Sequence, residues 1–128
     1  MVRRVLGWER ARRTRVELTL LDAAAMRRLN RRAKGRRGLT DVIAFSLPQP
    51  DGSVVGDVYI CPEAAHRYVE HQGSGERSAV GTELVRLVVH GTLHVLGYDH
   101  AEGPGRMRSA MWRRQERYVR RLLGAGNA

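Results

Sequence analysis

The chain has 128 residues, 42% of them hydrophobic, which is apolar material for one compact domain with a single core spanning residues 1–128. Lys and Arg number 23 against 13 Asp and Glu, and the formal net charge of +10 points to an anionic partner such as nucleic acid or a membrane surface. No apolar run approaches the roughly 18 residues that a membrane-spanning helix needs, and a single cysteine, Cys61, excludes a disulfide framework. A cytoplasmic protein with no membrane partner is the expectation.

Met1 to Arg15 is basic and lacks the continuous apolar segment of a signal peptide. Val16 to Leu21 alternates apolar and polar before becoming wholly apolar, which predicts a strand. Asp22 is placed to cap a helix from Ala23 to about Ala33, with Met26, Leu29, Asn30 and Ala33 on one side and the arginines largely elsewhere. Lys34-Gly35-Arg36-Arg37-Gly38 breaks that period and reads as a loop before a strand from Asp41 to Leu47.

Pro48-Gln49-Pro50-Asp51-Gly52 is a turn, followed by a strand from Val54 to Cys61. Pro62 suits the first position of a helix running to about His71, and Gln72 to Arg77 is a polar, glycine-rich loop. A longer helix from about Ser78 to Leu96 has enough apolar surface, in Leu84, Leu87, Val88, Leu93 and Val95, to be buried. Gly103-Pro104-Gly105 breaks the chain before a last helix, about Arg106 to Leu123, with Met107, Met111, Tyr118 and Leu122 on one stripe; Gly124 to Ala128 reads as a tail.

The fold class is α/β of the α+β kind: a single layer of small mixed sheet packed with several helices, the metal-bearing one central. The turn between the second and third strands is too short for a crossover, so part of the sheet is antiparallel.

Three of the five histidines fall within eleven residues, His90-Gly91-Thr92-Leu93-His94-Val95-Leu96-Gly97-Tyr98-Asp99-His100. Residues four apart share a helix face, so His90 and His94 form a pincer, and Gly97 suits the left-handed residue that would turn the chain and bring His100 to the same point. Three imidazoles suit one zinc ion per chain and leave the fourth position for water, as in catalytic rather than structural sites. Cys61 lies far off and cannot build a thiolate site alone. An isolated pair of histidines four apart is more often a surface or core feature; the Gly97 turn and the third histidine favour the metal.

The spacing matches that of metzincin zinc proteases, but these place Glu directly after the first histidine as the general base, where this chain has Gly91. Peptide hydrolysis is therefore the weakest of the hydrolytic readings.

His-Gly-x-Leu-His-x-Leu-Gly-Tyr-Asp-His resembles the signature of the YbeY family, bacterial metalloendoribonucleases linked to maturation of the 3′ end of 16S ribosomal RNA and to ribosome quality control. Leu29-Asn30, Gly35, Thr40-Asp41-Val42-Ile43-Ala44-Phe45 and Gly56-Asp57-Val58-Tyr59-Ile60-Cys61 resemble further family segments, so the likeness runs from about residue 16 to 123. It implies a zinc-dependent, single-strand-specific endoribonuclease with His90, His94 and His100 as ligands, a zinc-bound water in the reaction, and ribosomal RNA, the small ribosomal subunit and a ribosomal protein as partners. The alternative is a zinc-stabilised assembly factor that binds ribosomal RNA without turnover.

The family's functional loop arginine falls at Lys34, the only lysine here. Lys keeps the charge and loses the bidentate fork, which Arg36 or Arg37 can supply to substrate phosphate. Lys34 and Asp57 are the candidate catalytic side chains; Asp57 could reach the cleft or contact a protein partner, and Asp99 could orient an imidazole or cap its turn. Glu83 reads as a structural hydrogen-bonding residue, and His66 and His71 as surface. The family pattern has a strand and helix ahead of Val16, so residues 1–15 read as a shortened N-terminal region with Trp8 its bulky anchor. A last helix dense in arginine (Arg106, Arg108, Arg113, Arg114, Arg117, Arg120, Arg121) adds to general RNA affinity.

Overall fold

The structure is a computed structural model that describes residues 1–73, 77–98 and 110–125. Along the chain come α1 (Val2–Trp8), β1 (Thr14–Leu20), α2 (Ala23–Lys34), β2 (Val42–Pro48), β3 (Val54–Ile60), α3 (Pro62–His71), α4 (Arg77–Val95) and α5 (Ala110–Ala125). Asp99, His100, the Gly103-Pro104-Gly105 break, Arg106, Met107 and Arg108 lie outside the described residues.

The strands form one mixed sheet in the order β1-β3-β2. Antiparallel pairing of β2 with β3, Val42 opposite Ile60 through Pro48 opposite Val54, follows from the tight Gln49–Ser53 turn. That turn closes through Gln49 N–H to Ser53 O at 2.8 Å and Gly52 N–H to Gln49 O at 3.0 Å, with Gly52 at φ 86°. The longer excursion through α2 and β2 lets β1 lie parallel to β3, Thr14 opposite Val54 and Leu20 opposite Ile60.

A period of two divides the sheet between helices. Val58 and Ile60 of the central strand, with Val16, Val42 and Ala44, pack with Leu87, Val88 and Val95 of α4. Ile43, Phe45 and Tyr59 face the other way, toward Ala23 and Met26 of α2. α2 begins and ends as its sequence dictates: Asp22 accepts from the Ala25 N–H at 2.8 Å, and Gly35 takes the left-handed conformation at φ 64°. Lys34 is therefore the last residue of the helix and not part of the loop.

α4 packs against the sheet, α1, α3 and α5, and buries Leu87, Val88, Val89, Leu93 and Val95. A helix apolar on most of its circumference needs neighbours on most sides. Its approach to β3 is reciprocal. A Cβ at Gly91 would stand 2.5 Å from Val58 Cγ1, and one at Gly56 would stand 2.3 Å from Val95 Cγ1. Each element offers a glycine where the other offers a valine.

Two expectations at the ends need correction. The N-terminal region holds a helix, α1, whose Val5 is fully buried among Val89, Leu93, Met111, Tyr118, Val119 and Leu122. Trp8 is thus one anchor of two; its ring lies 5.1 Å from that of Tyr118, with the Arg121 guanidinium 4.2 Å from its centroid. Seven residues are too few for periodicity to announce a helix. At the other end α5 continues through Gly124 to Ala125, carried by the stripe of Met111, Tyr118 and Leu122.

Just after α1, Glu9 ties three elements together. Its carboxylate, with 7% of the side chain exposed, accepts from Tyr98 Oη at 2.7 Å, from Arg114 Nη1 at 2.9 Å and from the Tyr118 hydroxyl. Burial pushes its pKa up, but the bonds from Tyr118, Tyr98 and Arg114 together outweigh burial and hold it below the ordinary range. Stability contributed by ionised Glu9 is thus present above the usual carboxylate pKa and lost as pH falls through the lowered one. Glu9→Gln is expected to cost about 1–3 kcal/mol at neutral pH, because three part-buried donors lose their charged acceptor. Thermal melts from pH 7 downward check this: the variant should lose less stability on acidification than the parent, and parallel curves would count against the assignment.

Candidate metal centre

Along one side of α4 the sequence places Glu83, Arg86, His90 and His94 at spacings of three and four, which a helix stacks into a row. The Nε2 atoms of His90 and His94 are 3.1 Å apart, with ring centroids 4.5 Å apart and planes at 75°. Two zinc-bound imidazole nitrogens at tetrahedral angles are about 3.4 Å apart, so this pair needs a shift of only a few tenths of an ångström to share an ion.

Which His90 nitrogen carries the proton is settled by its neighbours. Arg86 grips Glu116 with two bonds, Nε to Oε2 at 2.8 Å and Nη2 to Oε1 at 3.0 Å, and reaches Glu83 Oε2 at 2.8 Å through Nη1. Glu116 accepts at Oε2 from Gln115 Nε2 at 3.1 Å, since a carboxylate only accepts. The amide oxygen Oε1 of Gln115 is thereby turned to His90 Nδ1, 2.7 Å away. A carbonyl oxygen demands a donor, so Nδ1 holds the hydrogen and Nε2 of the neutral ring presents its lone pair toward His94. Gln115 is 2% exposed, which keeps water from competing for the bond.

The charges of this row have opposite responses to burial. Hydrogen bonding to Glu116, chiefly, raises the Arg86 pKa. Burial pushes Glu116 up, yet Arg86 and Gln115 overcome it and leave Glu116 below its ordinary value. At Glu83 burial outweighs the bond from Arg86 and the pKa is raised. Glu83 is thus the structural hydrogen-bonding residue expected of it.

The turn beyond α4 has the expected form. Gly97 takes φ 99°, its N–H donates to His94 O at 3.0 Å, and the Tyr98 N–H donates to Leu93 O at 3.1 Å. Tyr98 is held in turn by Glu9, 89 positions away, so the chain is pinned just before Asp99 and His100. Among the described residues no group of three or more His, Cys, Asp and Glu converges on one point; His100, the third candidate ligand, lies outside them.

The remaining candidates come from other elements. Lys34 is exposed, its ammonium 5.3 Å from the centroid of the Phe45 ring, and Arg36 and Arg37 are exposed on the following loop. Asp57 lies in register between Glu17 and Phe45, on the sheet face turned toward α2, while α4 with His90 and His94 covers the other. Cys61 is fully buried at the start of α3. His66 and His71 are exposed on α3, His66 Nδ1 being 3.5 Å from Glu70 Oε1. Gln115 escaped the sequence reading, although one signal was present: it is the uncharged polar residue on the otherwise apolar Met111, Tyr118, Leu122 stripe.

A family model described as Endoribonuclease YbeY matches residues 2–123. The chain belongs to the YbeY family. Proteins named Endoribonuclease YbeY from Mycolicibacterium smegmatis and Mycobacterium tuberculosis (strain H37Rv) are 39% and 38% identical to it over 98 residues, 68% of this chain and 53% of each relative. The chain thus spans about half the length of these curated YbeY relatives. The solution structure of TM1509 from Thermotoga maritima is similar in fold, with a TM-score of 0.64, 28% identity, and coverage of 98% of this chain and 76% of that one. Among the described residues of this YbeY-family chain, no helix is long and apolar enough to cross a membrane.

Proposed function

We propose that this chain is a zinc-dependent endoribonuclease acting on single-stranded ribosomal RNA, in maturation of the 16S 3′ end and in ribosome quality control in the cytoplasm. One observation carries the reading: a buried amide sets the tautomer of His90 so that its Nε2 lone pair faces Nε2 of His94, 3.1 Å away, and the two nitrogens would share an ion once His94 Nε2 gives up its hydrogen. His90, His94 and His100 would hold one zinc ion. Zinc in such a site supplies Lewis-acid polarisation of a phosphoryl oxygen and an activated water.

The protein's own groups do the rest. Gln115, backed by Glu116 and Arg86, keeps His90 oriented and its Nδ1 protonated. Glu9 holds Tyr98, at the end of the Gly97 turn. Lys34, Arg36 and Arg37 bind RNA phosphates; the position of Lys34 against Phe45 favours binding over a part in the bond-breaking step. Asp57, on the far face of the sheet, takes no step and suits contact with a protein partner. Gly91 stands against Val58, so the position that holds the base in metzincins points into the sheet, which favours nuclease over protease chemistry.

Single-stranded RNA and casein offered side by side to the purified protein test this. RNA is cut, casein is not, chelation stops the cutting and zinc restores it. RNA binding without cleavage in the presence of zinc would instead mark a non-catalytic assembly factor with the small subunit as partner. Gln115→Leu is expected to weaken zinc binding by about 10–100-fold, read by competition with a chromogenic chelator; unchanged affinity would refute the role given to the amide.

A further inference from the structure

A second basic surface is lined neither by Lys34, Arg36 and Arg37 nor by the histidines. Between α1, the entry to β1 and the β2–β3 hairpin runs an open cleft of about 1030 Å³. Arg3 enters it from α1, Arg12 and Arg13 from the connection, and Arg15 from β1. All four are exposed. The carboxylate on its wall, Asp51, is taken by Arg13, with Nη2 3.7 Å from Oδ2 and a further bond to the Asp51 carbonyl. Arg3, Arg12 and Arg15 have no carboxylate partner among the described residues. Leu6 and Val54 give the cleft an apolar floor.

From this arrangement we infer that the cleft binds the phosphodiester backbone of single-stranded RNA, as an anchoring groove distinct from the metal centre. Three guanidinium groups spread over three segments, without a carboxylate partner among the described residues, match a run of phosphates better than one small anion, which a compact nest of donors would hold. The apolar floor accepts the riboses and base faces of an unpaired strand. Position adds to the argument: α1 lines the groove through Arg3 and Leu6, and just past its other end Glu9 pins the turn that leads to His100. A strand in the groove therefore lies on the element that also braces the candidate site. The inference rests on the RNA-directed reading above, but not on cleavage.

The test is binding of a fluorescently labelled oligouridylate by His94→Ala protein as a function of salt, so that no cleavage intervenes. Arg3→Gln/Arg12→Gln/Arg15→Gln is compared with Arg27→Gln/Arg28→Gln/Arg32→Gln, which removes the same charge from exposed positions of α2. Loss of three contacts should lower the slope of log K against log salt by about 2, at ~0.7 per phosphate on a single strand, with a clearly smaller change in the α2 variant. Arg3→Lys/Arg12→Lys/Arg15→Lys should restore most of that slope.

Equal losses in the two glutamine variants would reduce the groove to net charge and overturn the inference. So would an unchanged slope, or a lysine variant that melts like the parent and still fails to restore binding. Loss of binding to phosphatidylglycerol vesicles with RNA binding intact would assign the arginines to a lipid surface, which also overturns it. If the parent cuts no RNA and the groove variant still loses the slope, the nuclease reading falls and the groove stands.

Discussion

Replacing His94 with Ala is expected to reduce cleavage of single-stranded RNA by about a thousandfold or more. Electrophilic stabilisation at an open zinc site contributes several kcal/mol to a hydrolytic transition state, and each 1.36 kcal/mol is about a factor of ten in rate. Helical propensity favours Ala, so α4 should persist. His90→Ala is expected to lose the same activity with an added stability cost of about 1–3 kcal/mol, because Gln115 Oε1, buried against α4, would lose its donor. The two variants thus separate chemistry from folding. Gel assays of RNA fragments beside chemical denaturation of each variant provide the check, and turnover unaffected by His94→Ala would trace the activity to a contaminating nuclease.

Gly91→Ala is expected to destabilise the protein by about 1–3 kcal/mol, even though Ala is the better helix former by about 1 kcal/mol. The new methyl would meet Val58 Cγ1 at 2.5 Å and Cγ2 at 3.1 Å, and Val58 is fully buried in the middle strand of the sheet. Neither partner has room to retreat in a close-packed core. Gly56→Ala should behave alike against Val95. Combining Gly91→Ala with Val58→Ala should recover part of the loss, since the second change makes the space the first one needs. Denaturant midpoints with unchanged m-values measure this, and a Gly91→Ala midpoint above that of the parent would refute the interlock.

Most of the fold was legible because its signals are local. Asp22 and Gly35 bracket α2, Pro62 opens α3, and Pro48 to Gly52 is a turn that only an antiparallel pair tolerates. The histidine spacing was legible for the same reason: a pitch of 3.6 residues puts positions 90 and 94 on one face whatever surrounds them. α1 was not, because its seven residues owe their helix to the burial of Val5 against α4 and α5 rather than to any pattern of their own.

Gly91 shows the difference best. In the sequence it removed a protease base; in the structure it also proves to be the space that lets α4 sit on β3. Asp57 and Lys34 were candidates for a part in the site on sequence alone; in the fold strand alternation turns Asp57 to the α2 face, and α2 ends with Lys34 over Phe45. Spacing along one helix is a property of the chain, and the sequence by itself determined the His90–His94 pair and the Gly97 turn. Contacts between residues distant in the chain are decided by packing. Only the tertiary structure could bring Gln115 to His90 across 25 positions and Glu9 to Tyr98 across 89, because no local propensity records which buried polar groups must find each other.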